Sequence, residues 1–263
     1  MSGGLSLLFL GTGTSAGVPM IGCDCEVCTS EDLRDKRTRC SVVVSHGGVD
    51  VLVDTTPELR VQAVANGVKS IDAVVYTHGH ADHVCGLDDV RRFNAIRQGP
   101  LDVWADAETH RTLSTMFGYA FREPDPKWKL FRPHLVPRQV EGGFAIADMT
   151  WTPFTYPHGR GTVTGYRVDA GGRSLAYCTD CSDMPITARE HLRDLDLLVL
   201  DALQWIKHPT HLTIDEALEI VEDVQPKRTL FTHMSHGVLH ARDNPKLPAG
   251  VAFAVDGLRA DVG

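Results

Sequence analysis

Apolar positions along the chain cluster into short, nearly continuous runs, and segments of helical period separate several of them. That alternation builds layered α/β folds, because strands buried on both faces lose the simple in-out pattern. "LSLLFLGTGTSAGVP" predicts a buried strand running into a glycine-rich loop, and "CSVVVSHGGVDVLVDTTPELRVQAVANG" a hairpin followed by a helix. "DAVVYTHGHADH" is an apolar strand that ends abruptly in a histidine-rich loop. Further strands are predicted at Leu101 to Ala105, Met149 to Thr155, Thr162 to Val168, Arg173 to Cys178, Leu195 to Asp201 and Arg228 to His233. The clearest helix is "LTIDEALEIVEDV", where Thr213 and Glu216 form a capping box ahead of an i, i+3, i+4 apolar stripe. The proline-rich "FREPDPKWKLFRPHLVP" interrupts the pattern and predicts a surface excursion. With no internal repeat and no low-complexity linker, the expectation is one α/β domain over residues 1–263, with two sheets and outer helices.

Composition narrows the classes. A chain of 263 residues with 23% charged and 43% hydrophobic positions has the balance of a globular protein with an ample core. The formal net charge of -8 argues against broad attraction to nucleic acid or an anionic membrane, while leaving room for a local phosphate site. No apolar run approaches the roughly 20 residues that span a bilayer, and "MSGGLSLLFLGTG" lacks a basic leader, so a cytoplasmic protein is expected. The 7 cysteines, odd in number and unevenly spaced, favour reduced thiols or metal ligands over a disulfide framework.

The densest chemistry lies in "THGHADHVCGLDD". His78, His80, Asp82 and His83 place four ligand groups within one short loop. In an extended or turning loop His78 and His80 face one way, and Asp82 and His83 swing to the other, which suits two adjacent metals better than one. The competing reading is a hydrophilic loop of exposed histidines. "HGHADH" after a strand resembles the HxHxDH signature of the metallo-β-lactamase superfamily, and the likeness extends from "LGTGTSAGVP" through "VLVDTTPEL" to the later stations "YPHGR", "YCTDCSD" and "FTHMSH". The resemblance implies an αββα sandwich with a dinuclear centre at one edge of the sheets. It further implies that His78, His80 and His158 bind one metal, that Asp82, His83 and His233 bind the other, and that Asp180 bridges them. Asp54, ending "LVD", is then expected to brace the metal loop.

"GCDCEVC" packs Cys23, Cys25 and Cys28 together with no fourth thiol nearby. A structural zinc site takes four tetrahedral ligands, so a partner must come from elsewhere. "THMSH" holds two histidines; if His233 faces the catalytic metals, His236 is free to complete a Cys₃His zinc site. Buried small hydrophobes, or a redox pair, are the alternatives for these thiols. The C-x-C-x₂-C cluster with a late H-x₂-H resembles the PhnP-like phosphodiesterase branch of the superfamily, which acts on cyclic phosphates of ribose and nucleosides. That branch uses a histidine shortly before a late helix; "HPTHLTIDEAL" offers His211, with His208 as competitor, and His211 lies nearer the helix N-terminus where phosphate is favoured. Cys40 and Cys178 read as packing residues; His46, His110, His134, His191 and His240 carry no spacing signal.

The function expected from this resemblance is metal-dependent hydrolysis of small cyclic nucleotide or ribose phosphodiesters, with His211 and Asp82 as catalytic residues. The cofactors expected are two catalytic divalent metals, zinc or manganese, and one structural zinc. Expected partners are a small phosphorylated substrate of nucleotide kind and a second copy in a homodimer, with neither membrane nor extended nucleic-acid surface. The alternatives are a tRNA 3′-processing nuclease, an ester, thioester or lactam hydrolase of the same fold, and a non-enzymatic zinc scaffold. A tRNA nuclease normally carries a basic RNA-gripping arm, which this sequence lacks; an exported lactamase carries a signal peptide.

Overall fold

Strand parity sets the layers. Along the strand Ser6–Gly11, Leu7 and Phe9 pack into one cluster while Leu8 and Leu10 pack into another, and all four are buried. The same division recurs at Val199, set against Leu198 and Leu200 on the strand Leu197–Asp201. Each sheet is therefore covered on both faces, which explains why its strands read as unbroken apolar runs.

The structure, a computed structural model, describes residues 3–123 and 131–263. Two mixed seven-stranded sheets pack face to face, flanked by helices. The first runs from edge to edge through Arg259–Asp261, Ser6–Gly11, Ser41–His46, Val49–Val53, Ala73–Val75, Leu101–Ala105 and Leu135–Gln139. The second runs through Val251–Phe253, Thr229–Thr232, Leu197–Asp201, Arg173–Cys178, Gly161–Ala170, Met149–His158 and Phe144–Ile146. Val42, Val51, Trp151, Tyr166, Leu175 and Val199 fill the space between the sheets. Outside, Leu59 and Ala63 of the helix Leu59–Ala65 cover the first sheet, and Ala217, Ile220 and Val224 of Ile214–Val224 cover the second. The Thr213 capping box is present: its hydroxyl accepts from the Glu216 N–H at 3.1 Å while the Glu216 carboxylate accepts from the Thr213 N–H at 2.9 Å.

Each sheet contains a run of parallel strands, and those runs end flush. Val53 lies opposite Val75, Cys178 opposite Leu200, and Asp201 opposite Thr232. Their carboxyl ends share one edge of the sandwich, the position where α/β sheets commonly bind ligands.

Some elements differ from expectation. The strands Leu135–Gln139, Phe144–Ile146, Val251–Phe253 and Arg259–Asp261 carry weak periodicity because they are short edge strands. The proline-rich stretch expected to be a surface excursion lies partly outside the described residues, at 124–130. From Leu135 onward it is corrected to an edge strand, where Pro137 is tolerated because one side of that strand needs no partner. The strand expected to stop at Thr155 continues to His158; its second neighbour pairs only through Trp151, so Pro153 and Pro157 cost no ladder bond on that open side.

Candidate metal centre

Three strand ends at the shared edge use left-handed backbone on residues other than glycine: Asp54 (φ 63°), Asp180 (φ 54°) and His233 (φ 60°). This conformation turns the chain sharply out of its strand. It costs on the order of 1 kcal/mol per residue, less for Asp, and persists where surrounding contacts fix it.

Those contacts are specific. Asp54, fully buried, accepts from the Thr77 N–H at 2.9 Å and the Thr77 hydroxyl at 2.8 Å, and its second oxygen also accepts from His83 Nδ1 at 2.7 Å. Thr77 Oγ1 in turn accepts from His78 Nδ1 at 3.0 Å. On the opposite sheet His158 donates from Nδ1 to the Thr210 carbonyl at 2.9 Å. In His78 and His158 Nδ1 carries the proton, which leaves the Nε2 lone pair for another partner; burial disfavours charge on His83, but Asp180 and Asp54, one at each ring nitrogen, outweigh it and raise its pKa well above the ordinary histidine value. The Nε2 atoms of His78, His83 and His233 are buried without any hydrogen-bond partner. Buried polar atoms left unpaired are costly, and their convergence fits a site that receives a cation.

The seven residues singled out in the sequence come together as two groups sharing one carboxylate. His78, His80, His158 and Asp180 form one; Asp82, His83, Asp180 and His233 form the other, with ligand atoms in each lying within 4.8 Å of one another. Asp180 Oδ2 is 3.1 Å from His83 Nε2, and Oδ1 is 3.3 Å from His233 Nε2 and 3.7 Å from His158 Nε2. Burial opposes the charge on Asp180, but the neighbouring His233 and His83 outweigh it and hold the carboxyl well below the usual range. Buried His78 goes the other way: desolvation, reinforced by His83, keeps it neutral and thus a competent ligand.

Asp201 is a residue that the sequence reading did not assign to the site. Fully buried at its strand end, its Oδ2 accepts from His211 Nδ1 at 2.9 Å and from the Cys181 N–H at 2.8 Å, so one carboxylate braces His211 and the turn carrying Asp180. A signal existed: "LLVLD" repeats the pattern of "VLVD" at Asp54. His211 stacks on His233 with centroids 4.6 Å apart and lies 4.9 Å from His158. Burial disfavours its charge, yet the Asp201 hydrogen bond and charge raise its pKa above the ordinary histidine value. For His208 burial and the charge of His211 lower it, and its Nδ1 contacts only Thr210. Of the two competitors, His211 alone is braced by a buried carboxylate among the described residues.

The cysteines also converge. Cys23, Cys25 and Cys28 place their sulfurs 3.2, 3.5 and 3.7 Å from His236 Nδ1, a donor set of three thiols and one imidazole that fits zinc. The Cys28 N–H donates to Cys25 Sγ and is the main cause of a Cys25 pKa lowered to about 6, giving a thiolate at neutral pH; burial pushes Cys28 up to about 11. Beneath this group, buried Arg37 donates to Asp35 at 3.0 Å and to the carbonyls of Ser235 and Val238 at 3.1 and 2.9 Å. Asp35 accepts the His240 N–H at 2.8 Å, so the cysteine loop and the segment carrying His236 are tied by one buried ion pair.

A cleft of about 630 Å³ opens over Asp82, His80, His158, Asp180 and His211. Its other walls come from the loop Thr14–Gly17, Met20, Gln204, Ser235 and His236, so the cysteine group and the dinuclear candidate border the same space.

A family model described as the beta-lactamase superfamily domain matches residues 50–234. The crystal structure of a diphosphatase from the PhnP family superposes with a TM-score of 0.90 at 42% identity, covering 99% of this chain and 98% of that one. Zinc-bound PqqB from Methylobacterium extorquens superposes with a TM-score of 0.77 at 20% identity over 97% of this chain and 99% of that one, a likeness of fold. Among curated sequences, the octanoyltransferase of Porphyromonas gingivalis is 36% identical over 257 residues, 96% of this chain but 51% of that protein. The chain thus spans about half the length of that relative. Coenzyme PQQ synthesis protein B of Methylobacterium radiotolerans is 28% identical over 219 residues, 75% of this chain and 72% of that protein.

Proposed function

The chain belongs to the metallo-β-lactamase superfamily, in its PhnP-like branch, and on that premise we propose that it is a metal-dependent phosphodiesterase acting on small nucleotide or ribose phosphodiesters. The observation that carries this reading is the placement of a carboxylate-braced histidine, His211, beside a seven-residue metal-ligating cluster in one cleft. In this reading His78, His80 and His158 hold one divalent ion, Asp82, His83 and His233 the other, and Asp180 both; zinc or manganese suits these donors. Such ions supply Lewis-acid polarisation of a phosphoryl oxygen and acidify a water.

The remaining chemistry falls to side chains. Asp82, facing the cleft and kept ionised mainly by His83 against the opposing effect of burial, accepts a proton from the attacking water. His211 donates from Nε2 to the departing alkoxide, and Asp201 holds the ring in the tautomer and orientation that this requires. Cys23, Cys25, Cys28 and His236 would hold a separate zinc, which would tie the cysteine loop to the segment that lines the cleft through Ser235 and His236.

The whole chain acts as one catalytic unit, cytoplasmic and homodimeric. Among the described residues no helix is long and apolar enough to cross a membrane. The test is a parallel assay of bis-p-nitrophenyl phosphate, 2′,3′-cyclic nucleotides, an acyl thioester, a lactam and a precursor tRNA with zinc- or manganese-loaded protein. Hydrolysis of the first two is expected. Turnover confined to the thioester, lactam or tRNA overturns the assignment; the name of the Porphyromonas gingivalis relative gives the reason for including the thioester.

A further inference from the structure

One side chain in the cleft is fixed in orientation without serving either group of metal-ligating residues. Gln204 sits three residues beyond Asp201; its carbonyl accepts the Ile214 N–H at 2.9 Å, and it bridges to Thr213, so its backbone is pinned between a strand end and a helix cap. Its amide is pinned as well. The Gly237 N–H donates to Ser235 Oγ at 3.0 Å, Ser235 Oγ donates to Gln204 Oε1 at 2.9 Å, and Gln204 Nε2 donates to the Ile206 carbonyl at 3.1 Å. A side chain at Gly237 would meet Gln204 Oε1 at 3.0 Å and Ser235 Oγ at 3.3 Å, so the glycine makes room for this arrangement.

The chain of bonds leaves the amide with one unused N–H and one unused acceptor lone pair at the wall of the cleft. Met20 and Leu203 line the same cleft and supply apolar surface for a flat ring. Among the described residues lining the cleft none is lysine or arginine, so the group met here is uncharged rather than a second phosphate.

Resting on the phosphodiesterase reading above, we infer that Gln204 is a specificity-determining residue whose amide reads an uncharged donor-acceptor edge, of the kind a nucleobase presents, on the alcohol portion of the substrate. Ser235, whose hydroxyl holds the Gln204 carbonyl oxygen, is its positioning residue. A side-chain amide matched to such an edge discriminates by roughly 5- to 150-fold.

The test compares kcat and KM of the parent, Gln204→Leu and Ser235→Ala on 2′,3′-cyclic AMP and on methyl p-nitrophenyl phosphate, which has no such edge. For Gln204→Leu the ratio of kcat/KM between cyclic nucleotide and p-nitrophenyl diester should fall roughly 10- to 100-fold, mainly through KM. Ser235→Ala should shift the ratio in the same direction by less, and Ser235→Thr, which keeps the hydroxyl, should restore part of it. Equal losses on the two substrates would show that Gln204 merely supports the fold and overturn the inference. A parent that cleaves the p-nitrophenyl diester but not the cyclic nucleotide overturns the inference alone, whereas a parent that cleaves neither overturns the phosphodiesterase reading with it.

Discussion

Asp201 and His211 lie ten residues apart and are joined by one buried hydrogen bond of 2.9 Å, which fixes which face of the imidazole meets the cleft. The same carboxylate oxygen also secures the turn after Asp180, so His211 and the carboxylate common to both ligand groups are positioned by one support.

If His211 protonates the leaving group, His211→Ala should retain metal yet lose roughly 10²- to 10⁴-fold in rate on a 2′,3′-cyclic nucleotide. The loss should be much smaller on bis-p-nitrophenyl phosphate, whose leaving group departs without a proton. Equal losses would move His211 to a phosphoryl-binding role, and no loss would return attention to His208.

Asp180→Asn retains a side chain that tolerates the left-handed backbone at this position but removes the shared negative charge. Turnover should fall to background and both catalytic metals should be lost on gel filtration, while zinc at the cysteine group remains. Metal analysis beside circular dichroism separates this outcome from unfolding.

Cys25→Ala should release that zinc and lower the unfolding midpoint, because ligand binding contributes directly to folding. A variant that melts like its parent with its full zinc content would remove the cysteines from metal binding.

Arg37→Ala leaves Asp35 as an uncompensated buried charge and frees two carbonyls in the segment that holds His236. A loss of about 3–5 kcal/mol is expected in urea titrations. Replacing both partners by apolar residues should recover part of it.

Asp243 gives a pH signature away from the centre. Burial opposes its ionisation, but Arg242, Lys246 and the Leu239 N–H outweigh it and lower its pKa to about 2. The folded value lies below the unfolded value of about 3.9, so the contribution is present above that pH and vanishes as pH falls through about 2. Asp243→Asn should cost roughly 1–2 kcal/mol at pH 7, limited by water around the half-exposed cations, and the gap to the parent should close on acidification. A gap that stays constant from pH 7 to pH 2.5 or so would remove the charge from the account.

Much of the centre was legible because its information is local. The His78-to-His83 loop concentrates ligands within one turn of chain, and His158, Asp180 and His233 each follow an apolar run that announces a strand. The capping box at Thr213 is equally local. Asp201 is less legible: "LLVLD" repeats "VLVD" and marks a strand end, but the pattern is the same whether the carboxylate meets water or a histidine. Arg37 escaped because "DKRTRC" reads as a solvated charged stretch, yet its side chain is fully buried. The short edge strands were missed because three to five residues hold too little pattern, and prolines there point away from a strand.

By itself the sequence determined the layers and the chemical inventory: apolar runs with both parities buried require helices on both outer faces, and the ligand-rich loops must follow strands. Tertiary structure alone decided the pairings. His236 meets Cys23 across 213 positions, and Arg37 meets Ser235 across 198. The Gln204 amide is oriented by Ser235 from another strand end. Such contacts depend on how two sheets close upon one another, and a side chain's nearest neighbours after closure leave no trace in the spacing of the residues around it.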